Sequence, residues 1–205
     1  MNNIIKKMFP LLLFFLGVTG LALGQSVDFE KSIFDPGKLK PVDSKLKVQM
    51  GKPAPDFTLT ALDGRRIGLS QFRGRKNVVL SFIPAAWTPV CSDQWPGYNI
   101  TQGIFEANDA VLLGISVDNI PTLHAWTLEM GGLWFPVLSD FWPHGKVAGA
   151  FGILRGDGMA ERAILMIDKA GILRYAHVGD INVRPKLDII VRELEKLNRH
   201  QVETK

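Results

Sequence analysis

The chain has 205 residues, and 46% of them are hydrophobic, which is enough for one buried core and, by length, for one domain. The formal net charge is only +4, so the composition gives no case for a protein that binds nucleic acid. The four histidines lack metal-ligand spacing, and one cysteine cannot form an internal disulfide. Neither a metal centre, a cofactor nor a structural disulfide is therefore predicted.

The N-terminus predicts an export signal. Two lysines precede an apolar run at 11–23, and the run ends with the small residues Ala22 and Gly24 at the positions that a signal peptidase reads. We therefore predict a signal peptide at 1–24, cleavage before Gln25, and an exported protein that is periplasmic or secreted. The alternative is an uncleaved membrane anchor, but the run is short for a membrane span and contains two glycines.

The next segment, 25–47, is polar and contains several lysines and two prolines. This composition is typical of an extended arm or linker rather than of a core element. We place one folded domain at 48–200 and a short C-terminal tail at 201–205.

Hydrophobic patterning predicts alternating strands and helices within this domain. Two near-continuous apolar runs, 77–83 and 111–117, are typical of strands that are buried on both faces. In chain order we predict strands at 57–60 and 66–69 around a turn at 63–64, the strand at 77–83, a helix within 89–106 that Pro96-Gly97 interrupts, the strand at 111–117, helices at 122–130 and 145–150, and a hairpin of strands at 163–167 and 172–178.

The last helix has the clearest pattern. It begins near Pro185, and its apolar residues recur at helical spacing: Leu187, Ile190, Val191, Leu194 and Leu197. The complete order of elements predicts an α/β protein with a thioredoxin-like fold, in which helices flank a central mixed β-sheet.

The only cysteine, Cys91, lies just after the buried strand at 77–83 and close to a predicted helix start. Pro89 suits the first helical turn because the N–H that it lacks has no partner there. Cys91 would then lie where free backbone N–H groups and the positive end of the helix dipole favour a thiolate. The alternative is an inert buried thiol that fills a small apolar space, and the helix-start position argues against it.

Pro84, Thr88 and Cys91 form the pattern Pro-x-x-x-Thr-x-x-Cys, which resembles the active-site signature of the peroxiredoxins, the alkyl hydroperoxide reductase/thiol-specific antioxidant family of thiol peroxidases. The resemblance extends over 48–197. Peroxiredoxins carry an active-site arginine at the start of a late strand, and this position corresponds to Arg162.

The resemblance implies that Cys91 reduces a hydroperoxide and becomes a sulfenic acid. Arg162 and the Thr88 hydroxyl would stabilise the charge that develops in the reaction, Pro84 would shield the thiolate, and Trp87 is a candidate wall of the pocket. Since the sequence has no second cysteine, the chain resembles the one-cysteine type. It would need an external thiol reductant, either a thioredoxin-like or glutaredoxin-like protein or a low-molecular-weight thiol, and by analogy it would be a homodimer.

Two alternatives remain open from the sequence. An exported thioredoxin-like thiol–disulfide oxidoreductase would explain Trp87, but Thr88 stands where such proteins have their attacking cysteine. A redox-sensing module would use Cys91 only for reversible oxidation, which is also the first step of peroxidase catalysis.

Overall fold

The computed structural model describes residues 29–203 of the chain, and side chains as far as residue 199. The predicted signal peptide at 1–24 and the first residues of the predicted arm lie outside this range. Between residues 29 and 203, no helix is both long and apolar enough to cross a membrane.

A seven-stranded mixed sheet forms the centre of the domain. Its strands are β1 (Thr58–Ala61), β2 (Arg66–Gly68), β3 (Asn77–Phe82), β4 (Ala110–Ser116), β5 (Val137–Ser139), β6 (Ala163–Ile167) and β7 (Leu173–Val178). They lie in the order β2-β1-β5-β4-β3-β6-β7. The neighbours β3, β4 and β5 run parallel, and the other pairings are antiparallel.

Within residues 29–203, six α-helices and two 3₁₀ turns accompany the sheet. The helices are α1 (Phe29–Ser32), α2 (Pro89–Gln94), α3 (Gln102–Ala107), α4 (Ile120–Glu129), α5 (Lys146–Phe151) and α6 (Leu187–Glu203), and the 3₁₀ turns are Leu69–Phe72 and Pro96–Thr101. The predicted α/β fold with a mixed sheet is confirmed. α6 includes residues 201–203, which were predicted to belong to the tail.

The two faces of the sheet contribute to two hydrophobic clusters, because successive residues of a strand point to opposite sides. On β3, Leu80 and Phe82 belong to the cluster that includes Phe151 of α5. Val79 belongs to the other cluster, which includes Trp126 of α4 and Leu194 of α6. Cys91 lies within this second cluster.

The register of β3 and β6 positions the candidate site. Phe82, the last residue of β3, lies opposite Ala163, the first residue of β6, in an antiparallel pair. The segment that follows β3 and the segment that precedes β6 therefore meet at the same edge of the sheet. This arrangement brings Arg162 to the loop that leads from β3 to α2.

The helix predicted within 89–106 is interrupted as expected, and one strand of the sheet was not predicted. Pro96 does interrupt the helix predicted within 89–106, which becomes α2, a 3₁₀ turn and α3. Strand β5 was not predicted, since three residues after a proline are too few to show an alternating pattern. β5 nevertheless lies between β4 and β1 and joins the parallel and antiparallel parts of the sheet.

The described part of the predicted arm, residues 29–47, follows the surface of the domain, and none of these residues is buried. Its backbone is hydrogen-bonded to the domain at several points: the N–H of Phe34 donates to the carbonyl of Trp87 (2.8 Å), and the N–H of Lys47 donates to the carbonyl of Phe151 (3.0 Å). This part of the chain therefore has a defined path.

Candidate active site

The loop between β3 and α2 is held in place by contacts with the following elements. The N–H of Ala86 donates to the carboxylate of Asp118, at 2.8 Å. Trp87 adopts φ 59°, a left-handed conformation that is uncommon outside glycine. The chain then becomes extended at Thr88, the N-cap residue, and α2 begins at Pro89. Cys91 is therefore in the first turn of this helix.

The Cys91 side chain is fully buried, with 0% of its surface exposed. It is a free thiol. Its Sγ accepts a hydrogen bond from Nη2 of Arg162, at 3.4 Å. The structure thus brings together these two predicted site residues, which are 71 positions apart in the chain.

Arg162 is buried as well, with 2% of its surface exposed. Its Nε and Nη2 both donate to the carbonyl of Ile181, at 3.0 and 2.9 Å. Its Nη1 donates to Oε1 of Gln94, at 2.5 Å. All of these acceptors are neutral, and the remaining one is the sulfur of Cys91.

No carboxylate among residues 29–199 forms an ion pair with Arg162. Asp180 lies near enough for Arg162 to contribute weakly to the lowering of its pKa. The main cause of that lowering, however, is the hydrogen bond from the backbone of Asn182. Among the hydrogen-bond acceptors of Arg162 in the described part of the chain, only Sγ of Cys91 can therefore become an anion.

A buried charge without a counter-charge is energetically unfavourable, so the folded protein favours an anion next to Arg162. Sγ of Cys91 is the group that lies at hydrogen-bonding distance from the guanidinium in the position that such an anion would occupy. A guanidinium stays protonated and offers several N–H donors in a fixed plane. The guanidinium of Arg162 can thus stabilise an anion on the sulfur and, during a reaction, an oxyanion that develops beside it.

Gln94 is a further site residue, which the sequence analysis did not identify. It is fully buried and lies three residues after Cys91, on the same side of α2. Besides accepting from Arg162, its amide Nε2 donates to Oγ of Ser81 (3.2 Å) and to the hydroxyl of Tyr98 (2.9 Å). The spacing from Cys91 is the one signal in the sequence that could have suggested this role.

Tyr98 completes the polar network behind the arginine. Burial raises the pKa of its phenol above the ordinary value. Tyr98 therefore remains a neutral hydroxyl and does not provide a second anion for Arg162. The indole N–H of Trp95 also donates to Ser81, at 3.1 Å, so every member of the network has a partner.

The remaining predicted residues lie around this centre. Pro84 is buried beside it, and the half-buried Thr88 donates its hydroxyl to the carbonyl of Ala85, at 2.9 Å, rather than acting as a side-chain helix cap. Trp87 turns toward the arm, where its ring lies 6.0 Å from that of Phe29. The expectation that Trp87 forms a wall of the pocket is wrong, because Trp87 does not border the cavity that lies next to Arg162.

A cavity of about 440 Å³ opens next to the arginine. Pro84, Thr88 and Arg162 border it on the domain side, and residues 34–39 of the arm border it on the other. Cys91 itself does not border the cavity: its Sγ accepts a hydrogen bond from Arg162, which does. Arg162 therefore connects the buried sulfur to the cavity.

Metal binding has no support in the described part of the chain. No three or more His, Cys, Asp or Glu side chains come together there in a way that could hold a metal ion.

The family model and the individual sequences that match this chain indicate the same family. Residues 50–176 match the model of the AhpC/TSA family. Alkyl hydroperoxide reductase E of Mycobacterium tuberculosis is 39% identical over 132 residues, which cover 64% of this chain and 86% of that protein. A chloroplastic 2-cysteine peroxiredoxin of Chattonella marina var. antiqua is 30% identical over 165 residues, which cover 76% and 84% of the two chains.

Solved structures are similar over the same region. The reduced 2-Cys peroxiredoxin of Plasmodium vivax has a TM-score of 0.69 at 29% identity, covering 75% of this chain and 84% of that one. Mycobacterium tuberculosis AhpC has a TM-score of 0.67 at 26% identity, covering 73% and 93%. In contrast to the proteins named for two cysteines, the present sequence contains one.

Proposed function

This chain belongs to the AhpC/TSA family and is a peroxiredoxin-type thiol peroxidase, and on that premise we propose that Cys91 is the group that attacks the hydroperoxide. The observation that carries the proposal is the contact between Cys91 and Arg162. A buried guanidinium without a carboxylate partner favours the thiolate, which is the nucleophilic form of cysteine.

The proposed oxidation step uses this chain, the peroxide and water as the proton source. The thiolate sulfur attacks the terminal oxygen of R–O–O–H, where R is hydrogen or an organic group. An S–O bond forms as the O–O bond breaks, and the electron pair leaves with the other oxygen. That oxygen takes a proton from water to give R–O–H, and Cys91 is left as a sulfenic acid.

Arg162 has a second role in this scheme. Negative charge grows on the leaving oxygen, and the N–H groups of Arg162, which borders the cavity, would donate hydrogen bonds to that oxygen. Thr88 is proposed to help orient the peroxide. Its hydroxyl hydrogen is directed to Ala85, so its oxygen is free to act as an acceptor for the proton of the peroxide. Pro84 would exclude water.

An external thiol is proposed to complete the cycle, since no second cysteine exists in the sequence. Its sulfur would displace the sulfenic oxygen as water and form a mixed disulfide with Cys91, and a second thiol would then release the reduced enzyme. A thioredoxin-like or glutaredoxin-like protein or a low-molecular-weight thiol are the proposed reductants.

Rapid mixing of the reduced protein with hydrogen peroxide, followed by tryptophan fluorescence, tests the proposal. We expect oxidation much faster than that of free cysteine, one sulfenic acid per chain on Cys91 by mass spectrometry, and no reaction in Cys91→Ser. Oxidation at the rate of free cysteine would contradict it. Turnover of many equivalents of peroxide with an added thiol is expected, whereas a sensor would consume one.

Assembly and location are separate proposals. We propose a homodimer, supported by its plausibility for the family and by two exposed aromatic side chains, Phe141 (48% exposed) and Trp142 (83% exposed). A monomer mass in analytical ultracentrifugation would contradict it.

Export is proposed from residues 1–24 alone, and N-terminal sequencing of the protein from fractionated cells should find Gln25 as its first residue.

A further inference from the structure

The arm borders the candidate active site although it lies outside the segment that matches the family. The family match covers residues 50–176, whereas residues 34–39 form one side of the 440 Å³ cavity. Within this stretch, Phe34, Pro36 and Leu39 are apolar. The cavity wall is thus completed by a segment that lies outside the family match.

The arm is attached to the domain on both sides of the cavity. At one end, the N–H of Phe34 donates to the carbonyl of Trp87, at 2.8 Å. At the other end, the amide side chain of Asn182 holds Leu39 by two hydrogen bonds, one accepted from its N–H and one donated to its carbonyl, both at 2.9 Å. These contacts fix the cavity-facing residues between two anchors.

One residue, Ile181, links the arm to the arginine. The N–H of Ile181 donates to the carbonyl of Pro41 in the arm, at 3.0 Å. The carbonyl of the same residue accepts two hydrogen bonds from Arg162. The position of the arm is therefore tied to the residue that orients the guanidinium.

The cavity is larger and more apolar than hydrogen peroxide requires. Its domain side is also mainly apolar, with Ala86, Val90 and Met159 beside Pro84. Phe34, on the arm, leaves 70% of its surface exposed at the border of the cavity. Hydrogen peroxide has no apolar surface to bury there, whereas an organic substituent would cover these side chains and gain from leaving water.

We propose that residues 34–39 are the specificity-determining wall of this enzyme, and that they favour hydroperoxides with an apolar substituent over hydrogen peroxide. The inference rests on the proposed function, since it assumes that the peroxide reacts at Cys91. The substituent would lie between Leu39 and Phe34 of the arm and the apolar residues of the β3–α2 loop. The peroxide oxygens would face Arg162.

The test compares the rate constants for oxidation of Cys91 by cumene hydroperoxide and by hydrogen peroxide, in single turnovers that need no reductant. The variant is Leu39→Ser in the full chain, with Phe34→Ser as a second, independent variant. The matched control is Leu46→Ser, because Leu46 is in the same arm, is 37% exposed and does not border the cavity. Circular dichroism and thermal unfolding establish that each variant is folded.

We expect the ratio of the two rate constants to fall about 10-fold in Leu39→Ser, as for the loss of apolar contacts in a specificity pocket, because the rate constant for cumene hydroperoxide should fall much more than that for hydrogen peroxide. Leu46→Ser should keep the wild-type ratio. An unchanged ratio in both cavity variants, an equal change with both peroxides, or a faster reaction with cumene hydroperoxide would each overturn the inference. Slow oxidation of the wild type by both peroxides would instead contradict the proposed function itself.

Discussion

Two buried arginines in this domain have opposite electrostatic surroundings. Arg155, 5% exposed, donates to the carboxylate of Glu161 at 2.9 Å and to that of Asp157 at 3.0 Å. Arg162, 2% exposed, has only neutral acceptors and the sulfur of Cys91. The two are close in the chain, and yet one charge is neutralised by carboxylates and the other is not.

Arg155 and Glu161 form a structural ion pair, whereas Arg162 and Cys91 form the pair that is proposed to react. Glu161 directly precedes Arg162, but its carboxylate binds Arg155 and accepts the N–H of Asp43 in the arm, at 2.6 Å. The nearest acidic residue in the sequence is therefore unavailable to Arg162. The charge of Arg162 is left for a thiolate or a developing oxyanion, which is the property that the proposed reaction needs.

The largest effect is expected at the structural pair. Arg155→Met leaves the fully buried Glu161 carboxylate without its cation, and breaking such a pair costs about 3–5 kcal/mol in the free energy of unfolding. Denaturant unfolding measures this loss, and the double variant Arg155→Met/Glu161→Met should recover much of it. The rate of Cys91 oxidation by hydrogen peroxide in folded Arg155→Met should equal that of the wild type, and a large decrease would contradict the separation of roles.

Arg162→Ala should affect the oxidation rate strongly and the stability only moderately, which is the reverse of Arg155→Met. We expect the rate constant of Cys91 oxidation to fall about 10²–10³-fold, as when one oxyanion donor is removed from an active site. The free energy of unfolding should fall less than in Arg155→Met, because no buried carboxylate loses its cation. Stopped-flow fluorescence and denaturant unfolding check the two parts. A variant that unfolds easily but reacts at the wild-type rate would reverse the assignment of the two arginines.

Gln94→Glu would make the surroundings of Arg162 resemble those of Arg155. A carboxylate at this position would compete with the thiolate for the guanidinium, so we expect oxidation to slow about 10-fold, or about 1.4 kcal/mol. The ultraviolet absorbance of the thiolate at neutral pH should decrease in parallel, which a purely structural disturbance would not cause. Gln71→Glu adds the same charge at an exposed position and serves as the control.

The smallest effect is expected at an exposed ion pair. The hydrogen bond from Lys169, and then that from Lys76 (2.6 Å), lower the pKa of Asp109 to about 2. This pKa lies below the unfolded value of about 3.9, so the stabilisation is present above pH ~4 and is lost as the pH falls toward ~2. Because the Asp109 side chain is 43% exposed, solvent screening limits it to about 0–1 kcal/mol.

Asp109→Asn tests that contribution. Asp109 has φ 50°, a conformation that asparagine also tolerates, so the backbone should be kept. In unfolding measured over a range of pH, the variant should be slightly less stable than the wild type near neutrality, and the difference should vanish toward pH ~2. A difference that persists in acid would point to the backbone rather than to the ion pair.

Much of the fold could be predicted because its signals are local. The apolar runs at 77–83 and 111–117 correspond to β3 and β4 within one residue at each end. The start of α2 at Pro89 and its interruption before Pro96 follow from proline geometry. Strand β5 could not be predicted from its three residues, because its pairing with β4 and β1 depends on their positions rather than on its own pattern.

For the candidate site, local patterns in the sequence were enough to place one thiol at the start of a helix after a buried strand, because strand burial and helix starts depend on neighbouring residues. The charges that surround this thiol could be identified only from the folded chain. The acceptors of Arg162 come from α2 and from the loop before α6, and the carboxylate adjacent to it in the chain is bound by Arg155. Hydrogen bonding between segments distant in sequence is set by packing, and this packing left Arg162 facing the sulfur.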